Sequence, residues 1–113
     1  MSAITTHILD TSRGRPAGGV RVVLEVQADE GWRVLGQGRT DADGRLKNLL
    51  PADFALRAGV YRLTFRTSDY FAAERIESFY PEVALSFIVN DAAAHYHVPL
   101  LISPFGYSTY RGS

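Results

Sequence analysis

Val20-Arg21-Val22-Val23-Leu24-Glu25-Val26-Gln27-Ala28 sets Val20, Val22, Leu24 and Val26 on one side of the chain and Arg21, Glu25 and Gln27 on the other. A period of two is that of a half-buried strand, because successive side chains leave an extended backbone on opposite faces. Asp29-Glu30-Gly31 follows with turn chemistry, and Trp32-Arg33-Val34-Leu35-Gly36-Gln37-Gly38 comes next. Together these segments predict a β-hairpin with a three-residue loop, its second strand weakened or bulged at Gly36 and Gly38.

The same period returns downstream. Thr40-Asp41-Ala42-Asp43-Gly44-Arg45 is a tight turn in which Gly44 takes a positive φ, so Arg45 emerges directly from it. Tyr61, Leu63 and Phe65 then alternate with Arg62, Thr64 and Arg66, and Val83, Leu85, Phe87 and Val89 alternate after Pro81. Between them, residues 68–76 break the two-residue period and predict a short helix with Ser68 as N-cap ahead of Ala-Ala-Glu-Arg. Tyr96, Val98, Leu100 and Ile102 point inward from a strand over residues 95–102, and a last strand follows over 105–110. Pro99 lacks an N–H, which predicts an edge position or a bulge there. Seven or more short strands with one helix make an all-β sandwich, and residues 1–113 fit a single domain.

Twelve basic side chains balance twelve acidic ones, so the chain carries no positive field to attract nucleic acid or an anionic membrane. Near-zero net charge also lowers the barrier to self-association. There is no cysteine, which excludes thiol chemistry and disulfides. The first residues, Met-Ser-Ala-Ile-Thr-Thr-His, carry neither a basic nor an apolar leader segment, and the expected location is cytoplasmic.

Three histidines, His7, His95 and His97, are the candidates for proton transfer. His95 and His97 share a strand face, a spacing that zinc accepts only with further ligands from elsewhere, and no metal is expected. In Thr5-Thr6-His7-Ile8-Leu9-Asp10 either face could be the buried one. Arg45 reads as a solvated charge or as an anion clamp, since its planar guanidinium stays charged and suits an oxygen-rich ligand. The chain closes on Tyr107-Ser108-Thr109-Tyr110-Arg111-Gly112-Ser113, where aromatic residues run unusually far into a terminus.

Thr6-His7-Ile8-Leu9-Asp10-Thr11 with Gly14-Arg15-Pro16-Ala17, then His95-Tyr96-His97-Val98-Pro99-Leu100-Leu101, then Tyr110-Arg111-Gly112-Ser113, resemble in that order the transthyretin-like hydrolases. In those enzymes a terminal Tyr-Arg-Gly-Ser distinguishes the catalyst from the hormone carrier of the same fold. The resemblance covers the whole chain. It implies a prealbumin-type sandwich of seven to eight strands and the hydrolysis of 5-hydroxyisourate in urate degradation without a cofactor. It also implies a homotetramer with its sites at a subunit interface. Carried over by position, it makes His7, Arg45, His97 and Ser113 catalytic, and it gives His7, Arg45, Tyr110 and Arg111 to the substrate. His95 matches no catalytic position. A non-catalytic small-molecule carrier on the same fold is the competing expectation.

Overall fold

A computed structural model describes residues 2–113 as two β-sheets packed face to face. In chain order the strands are β1 (Ile4–Asp10), β2 (Arg15–Pro16), β3 (Arg21–Ala28), β4 (Gly31–Arg39), β5 (Arg45–Leu46) and β6 (Gly59–Phe65). Helix α1 (Thr67–Ala73) leads to β7 (Val83–Val89), β8 (Tyr96–Ser103) and β9 (Gly106–Thr109). One sheet runs β2-β1-β8-β9, with β5 also on β1, and the other runs β4-β3-β6-β7. Seven strands are four residues or longer; β2 and β5 have two residues each, too few for a periodicity to register in the sequence.

The alternations read above are the core. Val22 and Leu24 of β3, Leu63 and Phe65 of β6, and Val83 and Val89 of β7 face Ile4 and Ile8 of β1 and Leu100 and Ile102 of β8. Tyr96, Val98, Leu100 and Ile102 are all buried, as their spacing predicted. On β1 the inward set is Ile4, Thr6, Ile8 and Asp10, which leaves His7 on the outer face.

Three local expectations are corrected. Ala28 pairs with Gly31, so the hairpin loop is two residues, Asp29 and Glu30, and Gly31 begins the strand with φ 120°. The bulge does fall at the glycines: Leu24 pairs with Gly36 and Glu25 with Val34, leaving Leu35 as the extra residue. A Cβ on Gly36 would stand 1.8 Å from the Leu49 carbonyl oxygen, so the strand passes there only without a side chain. Helix α1 starts at Thr67 rather than after Ser68. Arg66 occupies the cap position with no side-chain cap, and Ser68 Oγ donates instead to Pro81 O at 2.6 Å. The helix follows β6 after a single residue, and that direct junction fixes its start ahead of any capping preference.

Pro99 lies in β8, between β1 and β9, not on an edge. Its missing N–H is accommodated because β9 leaves the ladder at Thr109, opposite Leu100. Beyond that point Thr109 Oγ1 donates to Pro99 O at 2.7 Å, and the tail rejoins only where Gly112 N donates to His97 O at 2.8 Å. The irregularity belongs to β9 and the tail that follows it, not to the proline's own strand.

Candidate active site

The parallel register of β1 against β8 assembles the site. Thr5 pairs with His97 and His7 with Pro99, while on the other side of β1 His7 pairs with Arg45 of β5. Paired residues share a face, so Arg45, His7 and His97 project from the outer surface of this sheet although they are far apart in sequence. The turn before β5 aims Arg45. Asp41 Oδ1 accepts from Asp43 N at 2.9 Å and from Arg45 N at 3.0 Å, and the bond from Arg45 N is the main reason the Asp41 carboxyl is held below the usual carboxylate range. Gly44 adopts φ 75°, and a Cβ there would come 2.4 Å from Ile8 O, so only glycine brings the turn this close to β1.

Hydrogen bonds fix which nitrogen of each imidazole faces the protein. His7 Nε2 lies 2.9 Å from Asp43 O, and a carbonyl can only accept, so Nε2 carries a proton and Nδ1 is the nitrogen left free of that bond. His97 Nδ1 is 2.8 Å from Thr5 Oγ1, and His95 Nε2 approaches the same hydroxyl at 3.2 Å. His97 is half-buried. Burial, followed by the charges of Arg45, His95 and His7, pushes its pKa below that of an ordinary histidine. At neutral pH it is therefore an uncharged base beside a fixed cation.

The C-terminal tail closes over this group. Gly112 lies against His97 so tightly that a Cβ would stand 2.6 Å from His97 Cδ2 and 3.1 Å from Pro99 Cγ. Ser113 follows it, exposed at the rim. Arg111 turns away and stacks its guanidinium 4.5 Å from the Tyr96 ring centroid. With Tyr110 and His97 it lines a cleft of about 450 Å³ against Phe87 and Ile88 of β7. His7, Arg45 and His97 thus converge on one surface, whereas Tyr110 and Arg111 belong to the adjoining cleft and meet that surface only through His97. Thr5 was not singled out from the sequence, because its role depends on which strand lies beside β1. Among the described residues, no group of three or more His, Asp or Glu side chains is placed to hold a metal ion.

A model of the HIUase/Transthyretin family matches residues 4–112. The chain belongs to the HIUase/Transthyretin family. It is 49% identical over 110 residues to the 5-hydroxyisourate hydrolase of Salmonella typhimurium, covering 97% of this chain and 80% of that protein. The solved 5-hydroxyisourate hydrolase of Klebsiella pneumoniae superposes with a TM-score of 0.86 at 41% identity, over 100% of this chain and 94% of that one. Sea bream transthyretin in complex with thyroxine superposes with a TM-score of 0.90 at 32% identity, over 97% of this chain and 94% of that one. Both branches of the family thus share the sandwich expected from the strand pattern. Sequence identity is higher to the hydrolases than to the thyroxine-bound structure.

Proposed function

We propose that this family member is a 5-hydroxyisourate hydrolase, opening the cyclic amide of 5-hydroxyisourate with water to give 2-oxo-4-hydroxy-4-carboxy-5-ureidoimidazoline. The observation that carries this reading is the convergence of a neutral half-buried histidine, a second histidine and an arginine on one face, capped by the tail. Relatives at 41–49% identity that are named for this activity support it over a carrier function.

Opening an amide requires a base for the water, a cation where the carbonyl oxygen becomes anionic, and a proton for the departing nitrogen. His97 is assigned as the base. Its Nδ1 is held by Thr5, so Nε2 is the working nitrogen, and its lowered pKa keeps it unprotonated at neutral pH. It takes a proton from water as the oxygen attacks the ring carbonyl, and it returns that proton to the nitrogen as the C–N bond breaks. Arg45 stabilises the oxyanion between these steps. His7, fixed by Asp43 O, orients the water or the ring through its Nδ1. Ser113 has an orienting role at the rim, and Tyr110 and Arg111, which line the adjoining cleft, bear on the substrate beside His97. No cofactor enters this scheme.

We further assign residues 1–113 to one domain and the functional unit to a homotetramer of the cytoplasm, with each site completed at a subunit interface. Among the described residues no helix is long and apolar enough to cross a membrane. The decisive experiment follows the ultraviolet decay of freshly generated 5-hydroxyisourate with wild type and with folded His97→Ala. Strong acceleration lost in the variant establishes the activity and the base; decay at the spontaneous rate with wild type removes the hydrolase reading in favour of a carrier.

A further inference from the structure

His95 has no part in the scheme above, yet its Nε2 shares Thr5 Oγ1 with His97 Nδ1, at 3.2 Å and 2.8 Å. The three groups form a short path of graded exposure: His97 is half-buried, Thr5 is buried at 3% exposure, and His95 is open to solvent. A hydroxyl owns one proton, so it donates to one ring only while accepting from the other. The tautomers of the two imidazoles are thereby locked together. When Thr5 donates to His95, His97 must carry its proton on Nδ1, and its Nε2 holds the lone pair that a base needs. When Thr5 donates to His97, that lone pair is lost.

We propose that Thr5 and His95 are positioning residues that set the tautomer of His97 and carry a proton from it to solvent. The proposal rests on the hydrolase reading for its chemistry. One water opening a neutral cyclic amide leaves an N–H and a carboxylic acid; the acid ionises at neutral pH, so one proton must leave the site per turnover. His97 Nε2 accepts it. The Nδ1 proton of His97 then passes to Thr5 Oγ1 as the hydroxyl proton of Thr5 passes to His95 Nε2, and His95 releases its own Nδ1 proton to the buffer. The transfer leaves His97 with its proton on Nε2; once product has gone, water in the open site takes that proton while buffer returns one to His95 Nδ1, and the reverse shift through Thr5 restores the Nδ1–H base, so one proton leaves per turnover and every N–H or O–H bond broken is matched by one formed. The direction of transfer follows from charge: His97 is faced by Arg45 from β5 and by His7 from β1, whereas His95 is exposed to solvent.

A purely structural tether makes different predictions, and glutamine at position 95 separates the two: it can hydrogen-bond to Thr5 but cannot relay a proton. At low buffer concentration, His95→Gln and Thr5→Val are each expected to lower kcat about tenfold with KM nearly unchanged. Added imidazole restores kcat in His95→Gln but not in Thr5→Val, where the middle of the path is missing, and Thr5→Ser regains most of the loss. Histidine ¹⁵N spectra of the folded, substrate-free protein test the tautomer lock independently of turnover: His95→Gln should shift the Nδ1 and Nε2 resonances of His97. Unmoved resonances, or kcat indifferent to both His95→Gln and Thr5→Val, overturn the relay. If wild type fails to accelerate hydroxyisourate decay, the hydrolase reading falls, and the spectra still decide whether the histidines are coupled.

Discussion

His97 is held by Thr5 at Nδ1 and by Gly112 against Cδ2, and it lies in the field of Arg45 across β1. Two substitutions probe separate parts of that setting. Gly112→Ala pushes a methyl group into the imidazole, so the ring or the tail must move; kcat should fall at least about tenfold, because small misplacements of a reacting group are costly, while the melting temperature stays close to wild type. Arg45→Gln removes a cation that lowers the His97 pKa. The pKa should therefore rise toward the ordinary histidine value, and the acid limb of the kcat/KM profile should move to higher pH, with a loss of about 100-fold in rate from the missing oxyanion partner. Arg45→Lys keeps the charge and should leave the acid limb in place. A profile that does not move in Arg45→Gln would mean that His97 is not the group titrating.

At the scale of elements, the parallel pairing of β1 with β8 brings Thr5 beside His97 and His7 beside Pro99. The β1 strand is held at its far end by Asp10, a fully buried carboxylate that accepts from Ser12 N, from Ser12 Oγ and from Tyr70 Oη at 2.8 Å. Through Tyr70, helix α1 is bound to the sheet that carries the site. Tyr70→Phe deprives the buried carboxylate of one donor and should cost about 1–3 kcal/mol in chemical denaturation. Burial, the hydrogen bond to Asp10 and the Asp10 charge push the Tyr70 pKa up to about 12. The folded state thus favours the neutral phenol. Its contribution is complete below the unfolded tyrosine pKa of about 10 and is lost as pH rises through the folded value, so the stability gap between wild type and Tyr70→Phe should narrow above about pH 10. A gap that stayed constant to pH 12 would sink this linkage.

For the molecule as a whole, Ile88 on the outer strand β7, and Phe79, Tyr107 and Tyr110 around β9, are large hydrophobic side chains left exposed, and the subunit contacts of the proposed homotetramer are assigned to them. Under the proposed homotetramer, sedimentation equilibrium reports about four times the monomer mass. Removing residues 110–113 takes away Gly112 from His97 and Arg111 from Tyr96, and should abolish most hydroxyisourate turnover while the circular dichroism of the sandwich persists. A monomer with full activity would refute the interface site.

Local alternation determined the strands and the inward faces of β3, β6, β7 and β8, because a two-residue period has one physical meaning wherever a sheet is half-buried. The turn at Gly44 was legible for the same reason: positive φ is a local property of one residue. The order of motifs likewise carried the family, and it named His7, Arg45, His97 and the tail as candidates. Tertiary structure alone decided the rest. Which face of β1 is buried, why Pro99 is tolerated inside a sheet, and that Thr5 joins His95 to His97 all depend on pairing between residues about 90 positions apart. No local propensity encodes a partner strand; register is chosen by the joint burial of both sheets, and the hydrogen bonds of the site follow from that choice.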